Sequence, residues 1–202
     1  MKNPDLVRAF ELLMARLGKP VTPITERKIG RGRPAQAYRF ANGQTILLKT
    51  NQKPALLTLA KKNQKGSLIT PSSPLALEDY DFVAAVFPDH PEHRNCAVVY
   101  MIPSEVAASE LKKNQQTWID INPKKHKANN PLRLIRFDDP GEDFIWTDNY
   151  GYAAKWAEYR LGDIELSAAP LPAAILERHR REIASEFGVK PEAVEISVKL
   201  SG

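Results

Sequence analysis

Two apolar runs of strand length, YDFVAAVF at residues 80–87 and CAVVYMI at 96–102, constrain this chain more than any other feature. Segments this short and this continuously apolar read as strands buried on both faces, because a strand wetted on one side alternates. They belong at the centre of a sheet, and such a sheet needs cover above and below. The cover is legible too. Asn3 is placed to cap a helix with Pro4 at its first position, and Leu6, Phe10, Leu13 and Leu17 repeat at helical spacing. Gly18 and Pro20 end that helix, and Ser104 is expected to cap a second one running to about Trp118. The fold class that follows is α+β or α/β, a mixed central sheet flanked by helices.

The remaining elements fall around this centre. Residues 21–28 are read as a first strand. Residues 36–40 and 44–49 flank Asn42-Gly43, the strongest short hairpin signal in the chain. Residues 54–62 are expected to form a short helix, 63–74 a loop, and LRLIRF at 132–137 a further strand. Trp146, Tyr150, Tyr152, Trp156 and Tyr159 lie in or before a helix ending near Leu161, where their spacing suits an aromatic core stripe better than a base-stacking platform. The domain reading is a main unit over 1–161, a linker over 162–172, and a small αβ appendage over 173–202. In that appendage a helix over 173–187 ends at Gly188, and VEISVKL (194–200) alternates as a strand.

Charge narrows the function. The net charge is +5, but residues 1–70 hold 14 Lys and Arg against three acids, whereas the rest carries an excess of six negative charges. Such asymmetry points to a basic face for a polyanion. The basic part centres on Gly30-Arg31-Gly32-Arg33-Pro34, with Arg27 and Lys28 before it and Arg39 after. An extended Arg-Gly-Arg suits a minor groove about 6 Å wide, since glycine brings no Cβ to its floor and arginine is drawn to its negative potential. Arg31-Gly32-Arg33-Pro34 resembles the core of the AT-hook, a DNA-binding motif of chromatin and regulatory proteins. The alternative is a basic loop between two strands. The expected DNA-contacting residues are Arg27, Lys28, Arg31, Gly32, Arg33, Arg39, Lys49, Lys61, Lys62 and Lys65.

Leu48-Lys49-Thr50, Asp81-Phe82-Val83 and Tyr100-Met101-Ile102-Pro103, set between helices, resemble the strand ends of the PD-(D/E)XK nuclease superfamily. The resemblance spans residues 5–118 and implies a restriction-endonuclease-like topology. It also implies acids beside the lysine to hold Mg²⁺. Leu47 stands two residues before Lys49, where the family has an acid, and only Glu11 matches the family's helical acid. The expected activity is therefore non-catalytic DNA binding, by a regulator or nucleoid accessory, with neither cofactor nor metal. A protein-interaction module with an acidic C-terminal surface is the alternative, and a Mg²⁺-dependent nuclease the third reading. Asp89, His90, His93 and Cys96 have zinc-like spacing but form a one-sided loop cluster. DNA is the expected partner, with a homodimer or protein partner beside it. One cysteine and the lack of a 20-residue apolar run lead to a cytoplasmic chain with no membrane association.

Overall fold

In the computed structural model, α1 (Asn3–Arg16) precedes a six-stranded mixed sheet. Its strands are β1 (Val21–Ile24), β4 (Ala37–Phe40), β5 (Thr45–Thr50), β7 (Phe82–Pro88), β8 (Cys96–Pro103) and β10 (Arg160–Glu165), side by side in that order. Two ribbons stand apart from it: β2 (Lys28–Ile29) with β3 (Arg33–Pro34), and β6 (Ala55–Leu59) with β9 (Leu132–Arg136). The helices α2 (Ser104–Ile121) and α3 (Tyr152–Lys155) complete the main elements. The structure describes residues 3–24, 28–29, 33–34, 36–61, 70–89, 96–121, 131–139, 149–165, 180–184, 186–188 and 190–194. The fold is α+β.

Only β5 and β7 are parallel; the other neighbours in the large sheet are antiparallel. The double-sided burial expected of the two apolar runs is what the sheet shows. Val83, Ala85, Phe87, Val98, Tyr100 and Ile102 face a core shared with α2, β6 and β9, whereas Ala84, Val86, Ala97 and Val99 face α1. From α1 come Leu6, Ala9, Phe10, Leu13 and Met14, each nearly or wholly buried. Each large side chain among them contributes about 1.5–3 kcal/mol by leaving water. Leu17, expected in that stripe, lies beyond the helix and is exposed. Gly18, at φ +67°, turns the chain, and the Gly18 and Lys19 amides return to the Ala15 and Met14 carbonyls.

The Asn42-Gly43 hairpin forms as the sequence suggests. Gly43 takes φ +90°, and Asn42 accepts from the Gln44 amide at 3.1 Å. Ser104 begins α2 but does not cap it through its side chain: its Oγ is buried without a hydrogen bond among the described residues.

Three expectations are corrected. Residues 54–62 are not helical: 55–59 form β6, which pairs with β9 from Ala55 opposite Arg136 to Leu59 opposite Leu132. Leu56, Thr58 and Ala60 turn inward while Leu57 and Leu59 face out, so a period of two prevails once a partner strand exists. The strand at 132–136 accordingly belongs to this ribbon and not to the central sheet. The aromatic helix stops after one turn: α3 gives way to a 3-10 turn (Ala157–Tyr159) and then to β10. Residues 162–165, read as linker, are therefore part of the sheet, paired with β8 through a bulge at Arg160/Gly162. Of the appendage, residues 180–184 and 186–187 are helical and Gly188 has φ +64°; the strand expected at 194–200 lies outside the described residues except for Val194.

The aromatic stripe is core, as its spacing indicated. Tyr152 and Trp156 are buried, 4.7 Å apart between ring centroids, and Trp156 meets Phe137 at 5.9 Å. Tyr152 Oη donates to Glu110 and accepts from Asn114 of α2, so its polar end is satisfied inside the protein. Trp146 lies outside the described residues.

Candidate nucleic-acid interface

Between β1 and β4 the chain leaves the large sheet and returns. Ile24 pairs with Ala37, and the intervening residues include a small antiparallel ribbon, with Lys28 opposite Pro34 and Ile29 opposite Arg33. Three residues, Gly30, Arg31 and Gly32, connect its strands and lie outside the described set, as do Arg27, Lys62 and Lys65. Arg33-Pro34 is extended, as proline's restriction of its predecessor suggests. Arg33-Pro34 pairs with Lys28-Ile29, so this end of the expected hook belongs to a two-stranded arm. Sequence spacing alone hid this pairing, since each strand is two residues long.

The arm leaves the sheet beside Lys49. The Leu48 amide donates to the Gln36 carbonyl at 2.7 Å, and Lys49 is the next residue of β5, paired on its other side with Ala85 of β7. Strand parity puts Lys49 on the same face as Leu47, the face covered by β6 and α2. Its side chain is half-buried and makes no hydrogen bond or ion pair among the described residues. Burial holds its ammonium below the ordinary lysine pKa.

The other expected contacts are not gathered here. Arg39 is exposed on β4 opposite Thr45, four residues along β5 from Lys49 and so about 13 Å away. Lys61 is committed to Asp79 at 2.6 Å.

No protein-family model matches the sequence, and no curated protein or solved structure is similar to it. The nuclease resemblance thus rests on its own residues, and their geometry departs from it. Glu11 accepts from Tyr38 Oη at 2.9 Å, and Tyr38 lies in the core under α1, on the face of the sheet opposite Lys49. Leu47 is buried. Asp81 is engaged with the Thr45 amide and hydroxyl at 2.7 and 2.9 Å, and those bonds hold its carboxyl below the usual range. It stands just ahead of β7, four residues before Ala85, the partner of Lys49, and so about 13 Å along the strand direction. No group of three or more His, Cys, Asp or Glu among the described residues is placed to hold a metal. His90 and His93 lie outside them. The Cys96 thiol is pushed up by burial and by Asp89, Asp163 and Glu165, which disfavours the thiolate a metal would need. No described helix is long and apolar enough to cross a membrane.

Lys49→Met should raise the melting temperature at pH 7, by removing a half-buried cation while keeping an unbranched chain of similar length. Because the folded-state pKa is depressed, the unfolded chain binds more protons between that pKa and 10.5. Wild-type stability therefore rises with pH through this window, and the advantage of Met should shrink there. Thermal melts from pH 7 to 10.5 check this; a constant gap would remove burial as the cause.

Proposed function

We propose that this is a non-catalytic DNA-binding protein, a regulator or nucleoid accessory, that engages A·T-rich duplexes through the arm between β1 and β4. The observation that carries the reading is the pairing of Lys28-Ile29 with Arg33-Pro34, which sets a basic ribbon apart from the large sheet. Its connecting residues contain Arg31 between two glycines. Glycine on either side of that arginine brings no Cβ to the floor of a groove about 6 Å wide. The non-catalytic reading is supported by Glu11, the one acid that matches the nuclease resemblance, which accepts from Tyr38 on the face of the sheet opposite Lys49.

A salt titration on A·T-rich and G·C-rich duplexes tests the reading. Binding should favour the A·T-rich duplex and weaken linearly in log salt, with a slope of about −0.9 per phosphate neutralised. A second reading, a protein-interaction module, is favoured by one feature. Leu57, Leu59 and Leu132 are exposed together on the outer face of the β6–β9 ribbon, with Leu57 opposite Leu134 and Leu59 opposite Leu132. Failure to bind either duplex at low salt would transfer the function to that face.

A further inference from the structure

Helix α1 is shorter than the sheet face it covers. It ends at Arg16, Gly18 turns the chain, and beneath it Tyr38, Ala84 and Val99 are buried. Two residues along their strands from these, and so on the same face, stand Phe40, Phe82 and Met101, each only partly buried. Leu161, at the bulge of β10, carries this apolar row to the edge of the sheet. With Met14 of α1 on its helix side, the row forms a cleft of about 490 Å³, within the range of small-molecule sites. Every residue that lines it is described. Phe40 and Phe82 meet edge to face at 6.3 Å, so two of the floor side chains hold each other in place without a ligand.

Charge and shape narrow the occupant. No aspartate or glutamate lines the cleft, and its one charged residue is Lys19. Lys19 is exposed, and its amide is tied to the Met14 carbonyl at 3.0 Å, which keeps it beside the cleft. It lies two residues before Val21, the partner of Phe40, and so at the β4 end of the row. Gln44 is the other polar group to consider. Its amide oxygen accepts from Asn42 at 2.7 Å, which leaves its nitrogen to donate. A cation and an amide donor both suit an anionic acceptor. From β4 to β10 the row crosses four strand spacings, roughly 19 Å. So long and narrow a floor suits an extended chain better than a compact ring system.

We propose that this cleft binds a free aliphatic monocarboxylate of medium chain length. Its chain lies over Phe40, Phe82, Met101 and Leu161, and its carboxylate meets Lys19. The site is separate from the arm between β1 and β4, and it does not depend on the DNA reading. An exposed lysine–carboxylate pair is worth at most about fivefold in affinity, so the chain supplies most of the binding and the head sets its direction.

The test uses the full chain labelled at its methionine methyl carbons, with Met14 and Met101 assigned through their Leu variants and followed by NMR. Octanoate, decanoate and dodecanoate are titrated below their micelle thresholds, beside dodecylamine as a chain of the opposite charge. The expected result is a saturable shift of both the Met14 and the Met101 signals. Affinity should rise about two- to fourfold for each added methylene. Dodecanoate should bind about fivefold more tightly than dodecylamine, and Lys19→Glu, a change at an exposed position, should reverse that order. Unmoved Met14 and Met101 signals would overturn the inference, as would affinity independent of chain length. Equal binding of acid and amine, or an order unchanged in Lys19→Glu, would overturn it too, since the cleft would then be an apolar surface without a carboxylate site. None of these results bears on duplex binding.

Discussion

Replacing Phe137 by Ala should destabilise the protein by about 3–5 kcal/mol, the usual cost of removing a buried aromatic ring. Phe137 follows β9 and is 3% exposed. Its ring sits 4.8 Å from Phe87 of β7, 4.5 Å from Tyr100 of β8 and 5.9 Å from Trp156 after α3. The backbone is equally committed: its amide donates to the Pro54 carbonyl and its carbonyl accepts from Ala153. One side chain thus joins the large sheet, the β6–β9 ribbon and the aromatic turn. With a typical total stability of about 5–15 kcal/mol, the loss would be a large fraction of the whole. Urea denaturation should show a lower midpoint with an unchanged slope. Phe187, 72% exposed, is the control, and its Ala variant should stay within about 0.5 kcal/mol of wild type. A Phe137→Ala loss below about 1 kcal/mol would mean that the ribbon is not an integral part of the core.

Phe137 also marks where the sequence stops being readable. The central strands were legible because YDFVAAVF and CAVVYMI are apolar at every position that a doubly covered strand must bury. Helix α1 and the Asn42 turn were legible for a similar reason: stripe, stop signal and turn residue are all local. β6 was not. ALLTL offers apolar residues at both helical and strand spacing, and only pairing with β9, some 75 residues on, selects the alternation. β10 failed the same way, since RLGDIE is a weakly apolar edge strand whose identity comes from β8. At the candidate site, residue types were readable and their grouping was not. Lys28 and Arg33 share one arm with Lys49 at its foot, while Arg39 points out near the hairpin and Lys61 is held by Asp79. Glu11 shows the limit most plainly. The nuclease resemblance places it at the family's helical acid, but the face of the sheet it serves is fixed by how α1 packs, a long-range outcome.

The arm yields the largest expected functional effect. If Arg31 and Arg33 enter the minor groove, replacing both by Ala should weaken binding to an A·T-rich duplex on the order of a hundredfold, taking about 1–3 kcal/mol for each well-placed contact. The preference over G·C-rich DNA should vanish with them. Neutralising Lys62 and Lys65 should instead weaken both duplexes alike and flatten the salt slope by about one per lysine, since phosphate contacts carry no base information. Gly32→Val separates shape from charge. It keeps every cation, but it adds a branched side chain to the three residues that join Lys28-Ile29 to Arg33-Pro34. Any positive φ there would also be penalised. The expected outcome is a folded protein that still binds DNA in a salt-dependent way but no longer distinguishes the two duplexes. Circular dichroism confirms the fold, and competition between the two duplexes reads the preference. If Gly32→Val leaves that preference intact in a folded protein, the arm does not read a groove. Its arginines would then act only on phosphates, as any basic turn between two strands does.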